Sequence, residues 1–143
     1  MPSITKQYKF CAAHKYWNPK WDKDKNFSIF GDDIKLHGHN YELDITINGP
    51  IDYESWFIIN IIDLNTVIKE YVLKNLDHSQ IEKDIDWFKG KQPSTENLVI
   101  YIWRQIADRI PKPAYLYSIK LRETPTIYTE YYGPEGEKWM KTI

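Results

Sequence analysis

His37-Gly38-His39-Asn40-Tyr41-Glu42-Leu43-Asp44-Ile45-Thr46-Ile47-Asn48 alternates with a period of two. Tyr41, Leu43, Ile45 and Ile47 share one face and Glu42, Asp44, Thr46 and Asn48 the other, the signature of a half-buried strand. Asn48-Gly49-Pro50 ends it with turn chemistry. Upstream, Tyr8, Phe10, Ala12 and His14 alternate with Lys9, Cys11 and Ala13, which predicts a first strand over 4–14. The polar and aromatic segment from Lys15 to about Leu36 reads as a long loop, longer than a hairpin turn needs.

Downstream, Trp56 to Ile62 reads as a short extended apolar run. Asp63 then caps a helix through about Leu76, with Leu64, Val67, Ile68, Tyr71 and Val72 as its apolar stripe. A second helix opens at Pro93-Ser94-Thr95-Glu96-Asn97, with Ser94 as cap. It carries Leu98, Val99, Ile102, Trp103, Ile106 and Ile110 at helical spacing up to Pro111. Residues 115–123 read as a strand with Tyr115, Tyr117, Ile119, Leu121 and Glu123 on one face, and Ile127–Tyr131 as a last strand. The order β-β-α-α-β-β predicts an α+β fold, an antiparallel four-stranded sheet with two helices on one face. One domain over 1–143 is expected, with its core at about 4–131 and a polar tail at 132–143.

Composition narrows the function classes. Lys plus Arg is 19 against 20 Asp plus Glu, a balance that argues against a general nucleic-acid binder. No apolar run reaches the roughly 20 residues of a membrane span, and the N-terminus has no apolar signal core. A single cysteine, Cys11, excludes an internal disulfide and a Cys-rich zinc site, so a cytoplasmic location is expected. Aromatic residues make up 15% of the chain, with 6 Trp and 11 Tyr. That excess suits subunit interfaces or a pocket for a flat ligand, and equally an aromatic core.

The chemistry gathers around four histidines. His37 and His39, two apart on a strand, project to one face, and Gly38 leaves room for close backbone approach. His14 ends the matching face of the first strand. If the two strands are neighbours, three imidazoles converge, the donor set of a catalytic Zn2+ site with an open position. The alternative is a set of hydrogen-bonded, partly buried histidines. Asp77-His78 can form an oriented acid–base pair, although spacing alone favours an ordinary loop pair. Glu123 can receive two N–H donors from a planar heterocycle, or simply turn to water. Ser94-Thr95-Glu96 can be a helix cap and nothing more. Cys11 has the wrong parity to join His14 and reads as structural, and the Lys-rich segment 15–25 reads as solvated surface.

Taken together, Phe10-Cys11-Ala12-Ala13-His14, Phe30-Gly31, Leu36-His37-Gly38-His39-Asn40-Tyr41, Asn60 to Leu64, Leu76-Asp77-His78, Ser94-Thr95-Glu96-Asn97, Tyr101-Ile102-Trp103 and Glu123-Thr124 resemble the 6-pyruvoyltetrahydropterin and 6-carboxytetrahydropterin synthase family. The resemblance runs from about residue 5 to 130. It implies the tunnelling fold, with subunits joined through their sheets into trimers and then hexamers, and active sites at subunit interfaces. It implies His14, His37 and His39 as Zn2+ ligands, Asp77 and His78 as a catalytic pair, Glu123 as the anchor of the pterin ring, and Thr95 and Glu96 as pocket lining. The implied reaction is a zinc-dependent lyase step on 7,8-dihydroneopterin triphosphate in tetrahydrobiopterin or queuosine synthesis, giving a 6-pyruvoyl- or 6-carboxy-tetrahydropterin. One position departs. Three residues after Phe30 and four before His37, where the family's synthases carry a catalytic cysteine, stands Asp33. An ordinary aspartate, pKa ~3.9, is a far weaker base than a thiolate from a thiol of pKa ~8.5. Three outcomes stay open: Asp33 acts as the base, the chemistry is redirected to a folate-type 6-hydroxymethyldihydropterin, or the protein binds a pterin without turning it over.

Overall fold

A computed structural model describes residues 1–134 of the chain, so the tail from 135 onward lies outside the described residues. Strand β1 (Ser3–His14) is followed by helix α1 (Lys23–Phe30), a 3₁₀ turn (Gly31–Ile34) and strand β2 (His37–Asn48). Helix α2 (Ile61–Ile68) runs through a π-helical turn (Lys69–Leu73) into α3 (Lys74–Leu76). Then come the two-residue strand β3 (Ser79–Gln80), the short helix α4 (Ile81–Asp84) and helix α5 (Thr95–Ile106), and β4 (Tyr115–Thr124) and β5 (Ile127–Tyr131) close the order.

The expected α+β architecture holds, with one correction to the sheet: it has five strands, in the order β3-β1-β2-β4-β5. The extra strand is the stretch around Ser79, which pairs parallel with Ala12 and Ala13 at the edge. Two residues carry no readable alternation, so only the tertiary pairing makes them a strand. β1 and β2 pair antiparallel over their whole length, with Phe10 opposite Tyr41, Ala12 opposite His39 and His14 opposite His37. The inner face of the sheet carries Phe10, Ala12, Tyr41, Leu43, Ile45, Ile47, Ile119 and Leu121, all buried. Helices α2 and α5 cover it with Leu64, Ile68, Leu98, Ile102 and Ile106. The outer face is a polar ladder in which Ser3 pairs with Asn48, Thr5 with Thr46, Gln7 with Asp44 and Cys11 with Asn40 through side-chain hydrogen bonds.

Other local expectations are corrected. The segment 15–36 is not a plain loop. Asp22 caps α1 by accepting from Lys25 N at 2.7 Å, and buried Asn26 ties Asn18, Trp21 and Asp22 to the helix. Its apolar pattern is too weak to announce a helix, because a polar residue, Asn26, holds the turn. Asn60, not Asp63, caps α2, accepting from Ile62 N at 2.9 Å, so the chain before it is not extended up to Ile62. In β4 the register against β2 shifts between Thr46 and Ile47, so Leu116 is buried while Tyr115 and Tyr117 face outward. A bulge reverses parity, which strict alternation cannot foresee. Gly38 meets no close obstacle: a Cβ there would stand 3.4 Å from Ala12 O, so room for the backbone is not its reason. Among the described residues, no helix is long and apolar enough to cross a membrane.

Candidate active site and metal centre

The pairing of β1 with β2 sets His14 directly across from His37, and His39 lies one inward-facing position further along β2. Their ring nitrogens lie within 4.8 Å of one another. His14 is fully buried, and the side chains of His37 and His39 are 27% and 16% exposed, so the cluster is partly open to solvent.

The outer nitrogen of two rings is held by a carbonyl. His14 Nδ1 lies 2.9 Å from Pro93 O and His37 Nδ1 lies 2.7 Å from Lys35 O. A carbonyl only accepts, so both Nδ1 atoms carry hydrogen, which leaves Nε2 of each ring as the nitrogen free to offer a lone pair to a metal. Burial holds His14 down to about 4, assisted by neighbouring His37 and His39 and opposed by the Pro93 hydrogen bond and by Asp33. His39 is lowered as well, by burial and then by His37. Neutral imidazoles are the form that ligates a metal.

Two carboxylates close on the same point. Glu123 Oε1 is 2.8 Å from His39 Nε2 and 3.7 Å from His14 Nε2, and its side chain is 15% exposed. It stands where the pairing of β4 with β5 slips between Arg122 and Thr124, and such an irregularity re-aims a side chain. Burial raises its pKa, with Asp33 and Glu96 adding to the effect and His37 opposing it. Asp33 Oδ1 lies 3.7 Å from His37 Nε2. Asp32 turns away instead, 3.9 Å from Lys35 Nζ and well exposed. Gly31, at φ +60 as the C-cap of α1, turns the chain into the 3₁₀ segment that carries Asp33, and Tyr16 N donates to Asp33 O at 2.9 Å.

The arrangement passes a chemical test for a cation. The lone pairs on His14 Nε2 and His37 Nε2 face the carboxylates of Glu123 and Asp33, each at 3.7 Å. His39 Nε2 lies 3.1 Å from His14 Nε2 and 2.8 Å from Glu123 Oε1, and the charge of a cation held by the three ring nitrogens would be balanced by the two carboxylates. Three imidazoles suit zinc better than magnesium or calcium, which take oxygen ligands.

The remaining expected site residues fall into two groups. Thr95, buried at the start of α5, donates to Glu96 Oε1 at 2.8 Å, and its hydroxyl also lies 2.7 Å from Thr129 Oγ1 on β5. Glu96 is close enough to raise the pKa of Glu123, so this pair borders the centre. Asp77 and His78 do meet, with Oδ1 3.1 Å from Nδ1, and the positive φ of 64 at His78 turns its ring outward to 82% exposure. The pair is pinned to β1, since Cys11 N donates to Asp77 Oδ1 and His78 N donates to Cys11 O. His78 borders a hollow of about 370 Å³ that is lined by residues of both parities of β1 and β2, from Cys11 to Ala13 and from Gly38 to Asn40. No hydrogen bond, ion pair or ring contact among the described residues joins the Asp77-His78 pair to the three imidazoles within one chain. Cys11 keeps the parity expected of it and is exposed on the outer face, where its Sγ lies 2.9 Å from Asn40 Oδ1.

Sequence reasoning missed Tyr16 and Thr129. Tyr16 stacks on Phe30 with ring centroids 5.4 Å apart and tilts against His14 at 5.1 Å, walling the centre. Its phenol is pushed above its ordinary range by burial and then by Glu123, Asp33 and Glu96. Its position two residues after His14 was the available signal.

An α+β fold with a partly buried trihistidine cluster flanked by carboxylates defines the class of protein with a candidate metal centre on its sheet. Residues 3–134 match the family described as 6-pyruvoyl tetrahydropterin synthase. The chain is 37% identical over 133 residues to the 6-pyruvoyl tetrahydrobiopterin synthase of Drosophila melanogaster, covering 92% of this chain and 79% of that protein. It is 34% identical to the Dictyostelium discoideum protein of the same name, covering 91% and 95%. The solved 6-pyruvoyl tetrahydropterin synthase of Caenorhabditis elegans superposes with a TM-score of 0.83 at 29% identity, covering 93% of this chain and 97% of that one. The chain belongs to the 6-pyruvoyl tetrahydropterin synthase family, lyases of tetrahydropterin synthesis.

Proposed function

We propose that this protein is a zinc-dependent lyase acting on 7,8-dihydroneopterin triphosphate and giving a 6-pyruvoyl- or 6-carboxy-tetrahydropterin. The observation that supports the reading is the convergence of three imidazole nitrogens with Glu123 at a partly buried site. His14, His37 and His39 hold the metal, which when bound polarises the substrate's side-chain oxygens. Glu123 accepts N–H donors of the pterin ring, and Thr95 and Glu96 border the ring's edge. Tyr16 and Phe30 supply an apolar wall that keeps water from one side.

Asp33 takes the place of the thiol as base. Its carboxylate reaches the centre from the His37 side and accepts the proton of a side-chain carbon as triphosphate leaves. Asp77 orients His78 and keeps it able to return a proton to the product side. Because no contact among the described residues of one chain joins that pair to the three imidazoles, the working site in this reading joins the centre of one subunit to the Asp77-His78 pair of another. The homo-oligomer of this reading, a hexamer built as a dimer of trimers, rests on the family resemblance. The functional unit is one domain over 1–143, with its core at 4–131, and its place of action is the cytoplasm.

A second reading rests on the departure at Asp33. A carboxylate where the family's synthases carry a thiol suits release of 6-hydroxymethyldihydropterin.

Incubating zinc-loaded protein with 7,8-dihydroneopterin triphosphate and identifying the pterins by mass spectrometry decides between them. A 6-pyruvoyl or 6-carboxy product supports the first reading and a 6-hydroxymethyl product the second. Unchanged substrate overturns both and leaves pterin binding without turnover.

A further inference from the structure

Past His14, consecutive backbone N–H groups go to four separate elements. Lys15 N donates to Glu82 Oε1 on α4 at 2.7 Å, and Tyr16 N to Asp33 O in the 3₁₀ turn at 2.9 Å. Trp17 N donates to Gln92 Oε1 at 3.2 Å, and Asn18 N to Asn26 Oδ1 on α1 at 2.7 Å. Two of these amides hold both polar groups of one residue, because Gln92 Nε2 donates to Trp17 O at 2.9 Å and Asn26 Nδ2 to Asn18 O at 3.0 Å. Gln92 is also fastened from behind, since its own carbonyl accepts from Asn97 Nδ2 on α5 at 2.8 Å. The residue after it orients His14: Pro93 O takes the Nδ1 hydrogen of that ring at 2.9 Å. Proline fixes φ, so the direction of this carbonyl depends on ψ and on where Gln92 is held. A competing acceptor stands close by, for Tyr41 OH lies 3.4 Å from the same Nδ1.

We propose that Gln92 is a positioning residue of the metal centre, whose clamp on Trp17 keeps the Pro93 carbonyl on the ring of His14. The clamp joins the carbonyl that orients the ring to the chain segment that leaves His14 itself, so ring and backbone move as one. Without it the Pro93 carbonyl withdraws, the Nδ1 hydrogen passes to Tyr41, and Nε2 swings away from the point it shares with His37 and His39. Both ends of the amide are needed. A glutamate at this position keeps the bond from Trp17 N but sets a second acceptor against Trp17 O. The proposal rests on the reading of the three imidazoles as metal ligands.

Cobalt(II) serves as a spectroscopic probe. Wild-type protein, Gln92→Ala, Gln92→Glu and Asn60→Ala are titrated with cobalt, and affinity and visible absorption are compared. Asn60 caps α2, so its variant controls for lost stability alone. Partners that orient a ligating histidine commonly carry about 10–100-fold in metal affinity, and Gln92 acts one bond further out. Gln92→Ala is therefore expected to bind cobalt about three- to tenfold more weakly, with altered d–d bands. Gln92→Glu should shift the bands in the same sense, and it carries the test where Gln92→Ala does not fold. Asn60→Ala should keep the wild-type affinity and spectrum. Wild-type affinity and spectrum in the folded Gln92 variants would overturn the proposal and leave the metal reading standing. Equal changes in Asn60→Ala and Gln92→Ala would overturn it too, because Gln92 would then be a general brace. Folded wild type that takes up no cobalt would overturn the metal reading and the proposal together.

Discussion

Asp33 puts a carboxylate where a thiol is expected, and its distance of 3.7 Å from His37 Nε2 gives it reach into the centre. Asp33→Ala should lower kcat by about 10²-fold or more while KM moves little, because a base acts mainly in the transition state. Steady-state kinetics on the mass-spectrometric product assay measures both. An equal rise in KM with kcat unchanged would make Asp33 a binding residue. His14 carries a second prediction. Its pKa in the folded, metal-free protein is about 4 against an ordinary 6.5, so between those values the unfolded chain holds more protons. Stability present above pH 6.5 is therefore lost as pH falls toward 4, with His39 adding in the same direction. Glu123, raised above its ordinary range, offsets part of the loss at the acid end. Urea titrations of metal-free protein across that window should show a falling midpoint, and His14→Asn should flatten the trend. The histidine positions were legible in the sequence because parity and pairing are simple rules. That Asp33 faces the imidazoles and Asp32 faces Lys35 was not, since a 3₁₀ turn has no period to read over four residues.

At the scale of elements, the caps and the bulge carry the lesson. Asn60 accepts from Ile62 N at the start of α2. Asn60→Ala should cost about 1 kcal/mol in chemical denaturation, while Asp63→Ala should cost clearly less. Gly133 sits at φ +98, and a Cβ there would stand 2.6 Å from Trp103 Cζ2 on α5. Gly133→Ala should destabilise by about 1–3 kcal/mol, measured the same way, through the left-handed backbone and the ring that must shift. Strands β1, β2 and β5 and helices α2 and α5 were legible, because one buried face imposes a period on each. Helix α1 was hidden, since only Asn26 is buried on it, and the Leu116 side of β4 was hidden by the register shift near Tyr117.

For the whole molecule, no contact among the described residues of one chain joins Asp77-His78 to the three imidazoles, and the proposed shared site between subunits is tested at this scale. Mixing His78→Ala chains with His37→Ala chains, by unfolding and refolding them together, should restore a measurable part of the activity that each lacks alone. No recovery in mixed oligomers confirmed by sedimentation would place each site within one chain.

The alternation of Phe10 to His14 and of His37 to Ile47 by itself put each imidazole on the apolar face of its own strand, because side-chain direction in a strand depends only on parity, and the pairing of β1 with β2 brought the three together. What lies across from them depends on chain segments far away in sequence. Pro93 and Lys35 carbonyls orient the rings, the end of β4 aims Glu123, and the edge strand at Ser79 sets the place of His78. Those placements come from packing and register between distant elements, which no local pattern encodes, and only the tertiary structure decided them.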